Sequence, residues 1–339
     1  MIIASDKKLP RVNLPIPSGW FQVLYSADLE VGQAKPLEYF DQELVAFRTE
    51  SGQARVVDAY CPHMGAHLGY GIRDQAGHGS AVVGESIVCP FHGWAYDGEG
   101  KCTNIPYAKN MPPRVARGEQ VLGSWHVREV NQCILVWYHP HGDAPSYEPL
   151  EVAEARTDNP DWGDFDSYLW EINTHMQEVG ENAVDSVHFH YVHGTNDIPD
   201  AEVMEFEGHT RRGLLRTRNP TPQGVIEGSI ENQNIGPGLA VVRFSGIVDT
   251  VLLAHLTPVT ADHTRAFYSF IQKKADADTG KSRIAEAIVR NICQQMEEDR
   301  VIWDRKKYYE KPMLCDGDGP FAKFRKWYKQ FLIEPSQGN

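Results

Sequence analysis

The sequence is poor in basic residues and has no long apolar run. Its 33 lysines and arginines stand against 46 aspartates and glutamates, a formal net charge of -13. Nucleic acids and anionic membranes attract clustered cations, so this balance argues against both as partners. The most apolar stretch, CILVWY at 133–138, is far shorter than the roughly 20 residues of a membrane-spanning helix. Because no basic and apolar leader opens the chain, we expect a soluble, cytoplasmic protein.

Cysteine is also scarce, with six among 339 residues. So few thiols argue against a disulfide framework and favour reduced core residues or metal ligands. Two of them fall in histidine-containing segments, YCPHMGAHLGYG at 60–71 and VCPFHGWAYDGEG at 88–100. We expect the other four to be packing residues: Cys102, Cys133, Cys293 and Cys315.

The chain divides into two regions with different patterns. Residues 17–147 contain short apolar segments broken by glycine, aspartate and proline, which is typical of a small all-β domain. A stretch rich in proline, aspartate and glycine at 141–163 indicates a linker. Residues 148–339 hold a helix-like stretch at about 172–192, several strands and a long helix at about 280–308. This order predicts an antiparallel sheet beside a long helix, so the fold class is α+β.

The two cysteine segments repeat one pattern of possible ligands. His63 follows Cys61 by two positions, and His92 follows Cys89 by three. Structural zinc sites usually pair like with like, so zinc is the alternative rather than the first interpretation. The set fits a Rieske-type [2Fe-2S] cluster, in which two thiolates hold one iron and two imidazoles hold the other. Neutral imidazoles raise the reduction potential, so such a cluster accepts electrons readily.

A second histidine-rich segment, ENAVDSVHFHYVH at 181–193, lies in the second region. The spacing predicts Glu181, Asp185 and His188 on one helix face. On an ideal helix His193 would point about 140° away from His188, so the two can share a metal only if the helix ends or distorts between them. Two histidines and a carboxylate with open positions form the facial triad of non-haem Fe(II) enzymes. The alternative is a helix with a histidine-rich polar face.

The carboxylate of this triad need not be local. The late segment CQQMEEDRVIWDRKK at 293–307 holds four acidic residues. Asp299 lies four residues before Trp303, so both belong to a helix face that the indole should bury. A carboxylate beside a buried apolar face needs a partner, and iron would be one. We take Asp299 as the candidate ligand and Glu298 as the first alternative.

With both motifs present, the chain resembles the oxygenase components of Rieske non-haem iron oxygenases over nearly its full length. Within that family it looks most like 3-ketosteroid 9α-hydroxylase oxygenases and their sterol 7-desaturase relatives. The resemblance implies these cluster ligands: Cys61, His63, Cys89 and His92. It implies these ligands of a mononuclear Fe(II): His188, His193 and Asp299. Asp185 resembles the family's bridging carboxylate, which bonds an iron-ligand histidine and a cluster-ligand histidine of the neighbouring subunit, and the predicted assembly is a homotrimer.

The resemblance also implies the reaction. Electrons from NAD(P)H would arrive through a separate reductase or ferredoxin, because the chain shows no dinucleotide-binding fingerprint. The expected reaction is O2-dependent hydroxylation of an apolar polycyclic, steroid-like substrate. One alternative is oxidative demethylation or ring hydroxylation of a small aromatic or N-methyl compound, and another is an electron carrier that catalyses no oxygenation.

One feature departs from the family pattern. The 25 residues between His63 and Cys89 exceed the family's usual spacing by several residues. The extra segment, DQAGHGSA at 74–81, leaves the ligands in place and puts the family's contacts to the redox partner in question.

Overall fold

The computed structural model describes residues 12–71, 81–195, 198, 200–221, 224–246, 248–274 and 282–335. The chain forms two compact units: Trp20–Tyr138 with Gly142–Glu151, and Met1–Gly19 with His139–His141 and Val152–Asn339. The boundary between the two domains, proposed from the sequence to lie between residues 147 and 148, stays a prediction. The insertion predicted at 74–81 lies, except for its last residue, outside the described residues.

The first unit consists of short strands in three small sheets. One sheet orders β2 (Ala34–Tyr39), β3 (Gln42–Arg48) and β4 (Ala54–Asp58). The next orders β1 (Gly19–Tyr25), β10 (Cys133–Tyr138) and β9 (Val127–Val130). The third orders β5 (Ala81–Val83), β6 (Ser86–Val88), β7 (Ala95–Asp97) and β8 (Cys102–Asn104). A short helix, α1 (Pro113–Ala116), follows β8.

Apolar strand residues place the cysteine loops against one core. Val45 and Phe47 of β3 and Val57 of β4 are fully buried and pack in a cluster that also contains Cys61 and Cys89. The alternation of side chains along β3 and β4 sends these three to one face, and Leu44, Ala46 and Val56 on the other face are buried as well. The all-β character predicted for this region is confirmed.

The second unit is built on a seven-stranded antiparallel sheet. In spatial order its strands are β11 (Asp166–Ile172), β17 (His263–Gln272), β16 (Thr250–Thr260), β15 (Leu239–Ser245), β14 (Gly224–Ile235), β13 (Thr210–Thr221) and β12 (Asp200–Glu207). The predicted antiparallel sheet is therefore present.

Four helices of the described chain accompany this sheet: α2 (Met176–Gly180), α3 (Val187–Tyr191), α4 (Ser282–Trp303) and α5 (Phe321–Tyr328). The predicted long helix is α4. Its Met296 and Trp303 pack with Trp170 of β11, and its Val289 packs with Phe270 of β17. This apolar contact lays α4 along the sheet and confirms the α+β class.

Two sequence expectations were wrong. The helix-like stretch at 172–192 is not one helix, because β11 continues to Ile172 and the backbone between α2 and α3 leaves the helical conformation at Asp185. Cys315 is exposed rather than packed in a core. Among the described residues, no helix combines the length and apolarity needed to cross a membrane.

Candidate metal centres

The two cysteine loops have the same backbone design. In each, the glycine four residues after the cysteine donates its amide to the cysteine carbonyl, Gly65 to Cys61 at 2.9 Å and Gly93 to Cys89 at 3.0 Å. Both glycines have φ of 74°, a left-handed conformation that costs glycine little. The turn directs two following backbone amides at each cysteine sulfur. Such N–H groups favour a thiolate over a thiol.

The two sulfurs lie together in the core. Cys61 and Cys89 are buried free cysteines, and the hydroxyl of Tyr96 lies 3.0 Å from Cys61 Sγ. A hydrogen bond from the Cys89 thiol is the largest cause that lowers the pKa of Cys61, and the Tyr96 hydroxyl and the backbone amides add to it. The same hydrogen bond raises the pKa of Cys89, so the Tyr96 hydroxyl and the loop amides are the groups that favour negative charge on sulfur, the form that binds iron.

The imidazoles of these loops also face each other. The ring centroids of His63 and His92 are 4.9 Å apart, and Trp94 stacks on His63 at 4.5 Å. Nδ1 of each histidine is buried and lacks a hydrogen-bond partner among the described residues. A buried ring nitrogen without a partner is unfavourable, and a metal bond would satisfy both. Two thiolates and two such imidazoles fit a [2Fe-2S] cluster of the Rieske type.

The second predicted set converges as well. Ligand atoms of His188, His193 and Asp299 all lie within 4.8 Å of one another. His193 Nε2 is 3.4 Å from Asp299 Oδ1, and the two imidazole centroids are 5.1 Å apart. Two neutral imidazoles and one carboxylate within this distance fit a mononuclear iron with open positions.

The local backbone explains how the two histidines meet. Helix α3 ends at Tyr191, so His193 lies beyond the helix and is released from the position that a continued helix would impose, and Gly194 follows with φ of 67°. Before α3, Asp185 is extended and its Oδ1 accepts from the amides of Val187 and His188 at 3.1 and 3.3 Å. The helix therefore ends between the histidines, as their convergence requires. The predicted single face of Glu181, Asp185 and His188 is wrong, because this break at Asp185 interrupts the helix.

The other ring nitrogen of each histidine bonds to a protein oxygen. His188 Nδ1 donates to the carbonyl of Asp185, and its distance to the Asp185 carboxylate is 3.9 Å. His193 Nδ1 donates to Glu298 Oε2 at 2.9 Å. Each imidazole keeps its Nε2 lone pair for the metal, since a neutral ring carries only one proton.

Asp299 is held by a hydrogen bond from Asn182. Its Oδ2 accepts from the side-chain amide of Asn182 at 2.9 Å, and the same amide lies 3.4 Å from His188 Nε2. Burial raises the pKa of Asp299 to about 6, which a bound cation would reverse. Asn182 and the contact of Glu298 with His193 were not predicted from the sequence. They depend on contacts between residues 117 and 105 positions apart.

The candidate iron ligands open into a cavity of about 650 Å³. Most of its wall is apolar, and representative lining residues are Leu215, Val242, Phe244, Leu252, Ile288 and Met296. Trp303 also lines it, on the α4 face that carries Asp299. The polar lining residues include Thr217 on β13 and Ser229, Asn232 and Asn234 on β14. The predominantly apolar wall limits water around the ligands and favours an apolar occupant.

Comparisons with known proteins agree with this geometry. Residues 19–125 match the Rieske [2Fe-2S] domain, and residues 136–332 match the 3-ketosteroid 9α-hydroxylase C-terminal domain. A 3-ketosteroid-9-alpha-monooxygenase oxygenase component of Rhodococcus rhodochrous is 30% identical over 93% of this chain and 80% of its own length. A cholesterol 7-desaturase of Ciona intestinalis is 31% identical over 94% of this chain and 69% of its own.

The fold agrees with a solved structure too. The crystal structure of dicamba monooxygenase bound to dicamba superposes with a TM-score of 0.73, covering 94% of this chain and 98% of the other at 16% identity. The chain belongs to the Rieske non-haem iron oxygenases whose catalytic domain is of the 3-ketosteroid 9α-hydroxylase type. It is an oxygenase that carries a Rieske [2Fe-2S] domain and acts through a mononuclear iron.

Proposed function

We propose that this chain is the terminal oxygenase component of a cytoplasmic monooxygenase that hydroxylates an apolar polycyclic, steroid-like molecule. The observation that carries the proposal is the apolar cavity of about 650 Å³ into which His188, His193 and Asp299 open. A cavity of this size falls in the range that encloses drug-sized ligands, and a single aromatic ring would leave much of it empty. The steroid and sterol enzymes among the relatives support the same substrate class.

The proposed ligands divide between the two centres. Cys61, His63, Cys89 and His92 would hold the cluster, and His188, His193 and Asp299 the iron. When bound, the cluster passes electrons singly and the iron uses them to activate O2.

The protein supplies orientation and exclusion of water. Asn182 fixes the Asp299 carboxylate, while Glu298 and the Asp185 carbonyl fix the two imidazoles. The apolar wall places a C–H bond of the substrate near the ligands and keeps water from them.

We also propose the partners of this reaction. A separate NAD(P)H-dependent reductase or ferredoxin delivers the electrons. The assembly is a homotrimer, because a closed head-to-tail ring is the simplest arrangement that brings a cluster beside a neighbour's iron. In it, Asp185 connects His188 with His92 of the neighbouring subunit.

The direct test is substrate-stimulated O2 uptake by the purified protein with a surrogate reductase. Androstanes, single-ring aromatics and N-methyl heterocycles are compared, and products are identified by mass spectrometry. Hydroxylated androstanes would support the proposal. Turnover of only the small aromatic or N-methyl compounds would replace it with the demethylase or ring-hydroxylase alternative, and binding without O2 uptake in an iron-loaded protein would favour a simple electron carrier.

A further inference from the structure

Three oxidisable aromatic side chains form a row that leads away from the cavity. Tyr268 of β17 lines the cavity together with Asp299. The centroid of its ring lies 5.3 Å from that of Trp170 on β11, and Trp170 stacks on Tyr168 at 5.9 Å. Tyrosine and tryptophan give up a single electron comparatively easily, because the unpaired electron that remains is delocalised over the ring. The row is therefore a continuous path for electrons.

Strand pairing sets the order of the row. Tyr168 and Trp170 are two positions apart on β11, so they lie on one face of the sheet. Tyr268 pairs with Tyr168 across the ladder of β11 and β17. Strand β11 is the edge strand of the sheet, and Tyr168 is half-buried, whereas Trp170 is only 8% exposed. The row thus runs from a ring in the cavity wall to a ring at the surface.

Each of the two rings on β11 bonds to a carboxylate that can take its proton. Trp170 Nε1 donates to Glu297 Oε1 at 2.8 Å. The Tyr168 hydroxyl donates to Asp166 Oδ2 at 3.1 Å. Both carboxylates belong to exposed residues. Loss of an electron makes an indole N–H or a phenol O–H strongly acidic, so a carboxylate already bonded to it accepts the proton at once.

The cavity wall holds side chains that oxidation would damage. Met296 and Trp303 line the cavity, and oxidation of a buried methionine inserts a polar group that disrupts a core. An iron centre that activates O2 endangers them whenever no C–H bond is in place to react. Tyr268 stands in the same wall and keeps its proton, because burial and, after it, the charge of Asp299 raise the pKa of its phenol. It can therefore pass an electron without becoming the place where oxidation ends.

We propose that Tyr268, Trp170 and Tyr168 carry oxidising equivalents from the iron centre to the protein surface when no substrate reacts, and so protect the cavity. In the first step Trp170 gives an electron to the iron centre through the ring of Tyr268, and its Nε1 proton passes to Glu297. In the second step Tyr168 gives an electron to Trp170, and its phenolic proton passes to Asp166. Glu297 returns its proton to Nε1.

The sum of these steps is one electron moved from Tyr168 to the iron centre and one proton moved from Tyr168 to Asp166. A small reductant in solution, such as a thiol or ascorbate, then restores Tyr168 by one electron, and Asp166 returns the proton. This function is separate from substrate oxidation and requires neither a steroid nor a neighbouring subunit.

The test locates the end of the oxidation in the purified, iron-loaded protein without substrate. Hydrogen peroxide supplies the oxidising equivalent at the iron, and a nitroso spin trap labels tyrosyl radicals. Peptide mass spectrometry then quantifies the label on Tyr168 and Tyr309 and the sulfoxide at Met296. Tyr309 is the reference, because it is 62% exposed and an oxidant that diffuses through solution reaches exposed side chains first.

In the wild type the label on Tyr168 should exceed that on Tyr309 several-fold. Glu297→Gln keeps an acceptor for the indole and cannot take its proton, so the Tyr168 label should fall to the level of Tyr309 and the Met296 sulfoxide should rise. Trp170→Phe removes the indole and should have the same effects. Tyr309→Phe is the matched control and should change neither the Tyr168 label nor the sulfoxide.

Asp299→Ala, in which we expect no mononuclear iron, identifies the source of the oxidation. Its Tyr168 label should fall to the level of Tyr309. Excess label on Tyr168 in this variant, or equal label on the two tyrosines in the wild type, would overturn the inference. An unchanged Tyr168 label in Glu297→Gln would also overturn it, whether or not Trp170→Phe folds. The proposed function stands or falls separately, by substrate-stimulated O2 uptake.

Discussion

Each candidate iron-ligand histidine has one ring nitrogen bonded to a protein oxygen, which leaves the other for the metal. His193 has one carboxylate of α4 at each ring nitrogen: Glu298 accepts from Nδ1, and Asp299 lies 3.4 Å from Nε2. The geometry therefore assigns different roles to two adjacent acids. Glu298, the first alternative ligand from the sequence, is better placed to orient the imidazole.

Substituting Asp299 and Glu298 one at a time should distinguish the residue that binds the iron from the residue that orients His193. Asp299→Ala should remove the mononuclear iron and turnover while the cluster spectrum stays intact. Glu298→Gln should keep the iron and weaken its affinity by about 10- to 100-fold, the usual effect of losing such a partner. Iron and sulfide analysis during titration with a chelator measures both. Full iron in Asp299→Ala together with iron loss in Glu298→Gln would reverse the assignment.

A buried histidine away from the metal sites should make stability depend on pH. His175 precedes α2, accepts from the Gln177 amide at Nδ1 and bonds to the Pro15 carbonyl through Nε2. Burial lowers its pKa to about 4, against 6.5 in an unfolded chain. The unfolded form therefore takes up the proton first as pH falls. The stability contributed by neutral His175 is complete above pH 6.5 and is lost between 6.5 and 4.

The variant His175→Asn tests this, because asparagine can accept from the same amide and does not titrate. Between pH 7 and pH 5 the wild type should lose about 2 kcal/mol more than the variant. Urea unfolding of both proteins at the two pH values measures the difference. His255, whose pKa burial also lowers to about 4, titrates alike in both. Equal losses would show that His175 takes up its proton as readily in the folded protein as in the unfolded chain.

Apart from Asp299, the candidate ligands could be proposed from the sequence because each lies within a few residues of another ligand of the same centre. Over two to five positions, chain geometry limits how far two side chains can separate, so Cys61 with His63 and His188 with His193 are readable as pairs. Asn182 was not predicted. The residue it bonds depends on helix packing, and asparagine side chains have many other common uses.

At the scale of elements, the segment from α2 to α3 shows where periodicity misleads. The spacing of Glu181, Asp185 and His188 is helical, yet Asp185 caps the start of α3 and Glu181 turns to another partner. A capping aspartate within a helical pattern can begin a new helix as readily as continue the old one. The long helix α4 was predictable because its apolar face repeats over many turns and meets a whole sheet.

Glu181 instead ties this segment to the last helix. Arg325 of α5 contacts Glu181 through Nε and Nη2 at 2.6 and 3.1 Å, and Lys306 lies 2.9 Å from Glu178. Both carboxylates are almost fully buried. The pairing anchors the turn that carries Asn182, and a buried carboxylate that loses its partner is strongly destabilising.

Arg325→Met should therefore lower the free energy of unfolding by about 3 kcal/mol. This is at the low end of the loss expected when a buried ion pair is broken, because Lys306 remains as a cation beside the two carboxylates. The thermal midpoint should fall by about 5 to 10 °C. Arg290→Met is the control, since it removes an exposed ion pair with Glu286 and should leave the midpoint unchanged. Equal midpoints for the two variants would mean that the buried pair contributes no more than a surface one.

At the scale of the whole molecule, the candidate cluster ligands lie in one compact unit and the candidate iron ligands in the other. The main question is therefore how electrons pass from the cluster to the iron. We proposed that this transfer crosses a subunit boundary through Asp185. An experiment must distinguish this role from a second one, because Asp185 Oδ1 also accepts from the first amides of α3. Asp185→Asn keeps that acceptor and removes the charge.

This variant should retain the cluster and most of its iron yet oxidise the reduced cluster more slowly, by about 10- to 100-fold. Stopped-flow absorbance of the pre-reduced protein, mixed with substrate and O2, gives the rate in a single turnover. Asp185→Ala serves as the comparison, since it loses both the charge and the cap and should lose iron as well. A wild-type rate for Asp185→Asn would show that the carboxylate acts only as a helix cap.

The subunit boundary itself can be tested by combining two inactive chains. Asp299→Ala keeps a cluster and lacks the iron, and Cys61→Ser lacks the cluster and keeps the iron, so neither alone should turn over. Co-produced with different tags and purified through both, they form mixed assemblies in which a cluster can lie beside the iron of the neighbouring chain. Every assembly that carries both tags is a mixed trimer, and in a head-to-tail ring one of its three contacts joins an intact donor to an intact acceptor, so activity per chain should reach about a third of the wild type. If electrons instead stay within one chain, no chain in the mixture holds both centres, and the mixed protein should be as inactive as its parents.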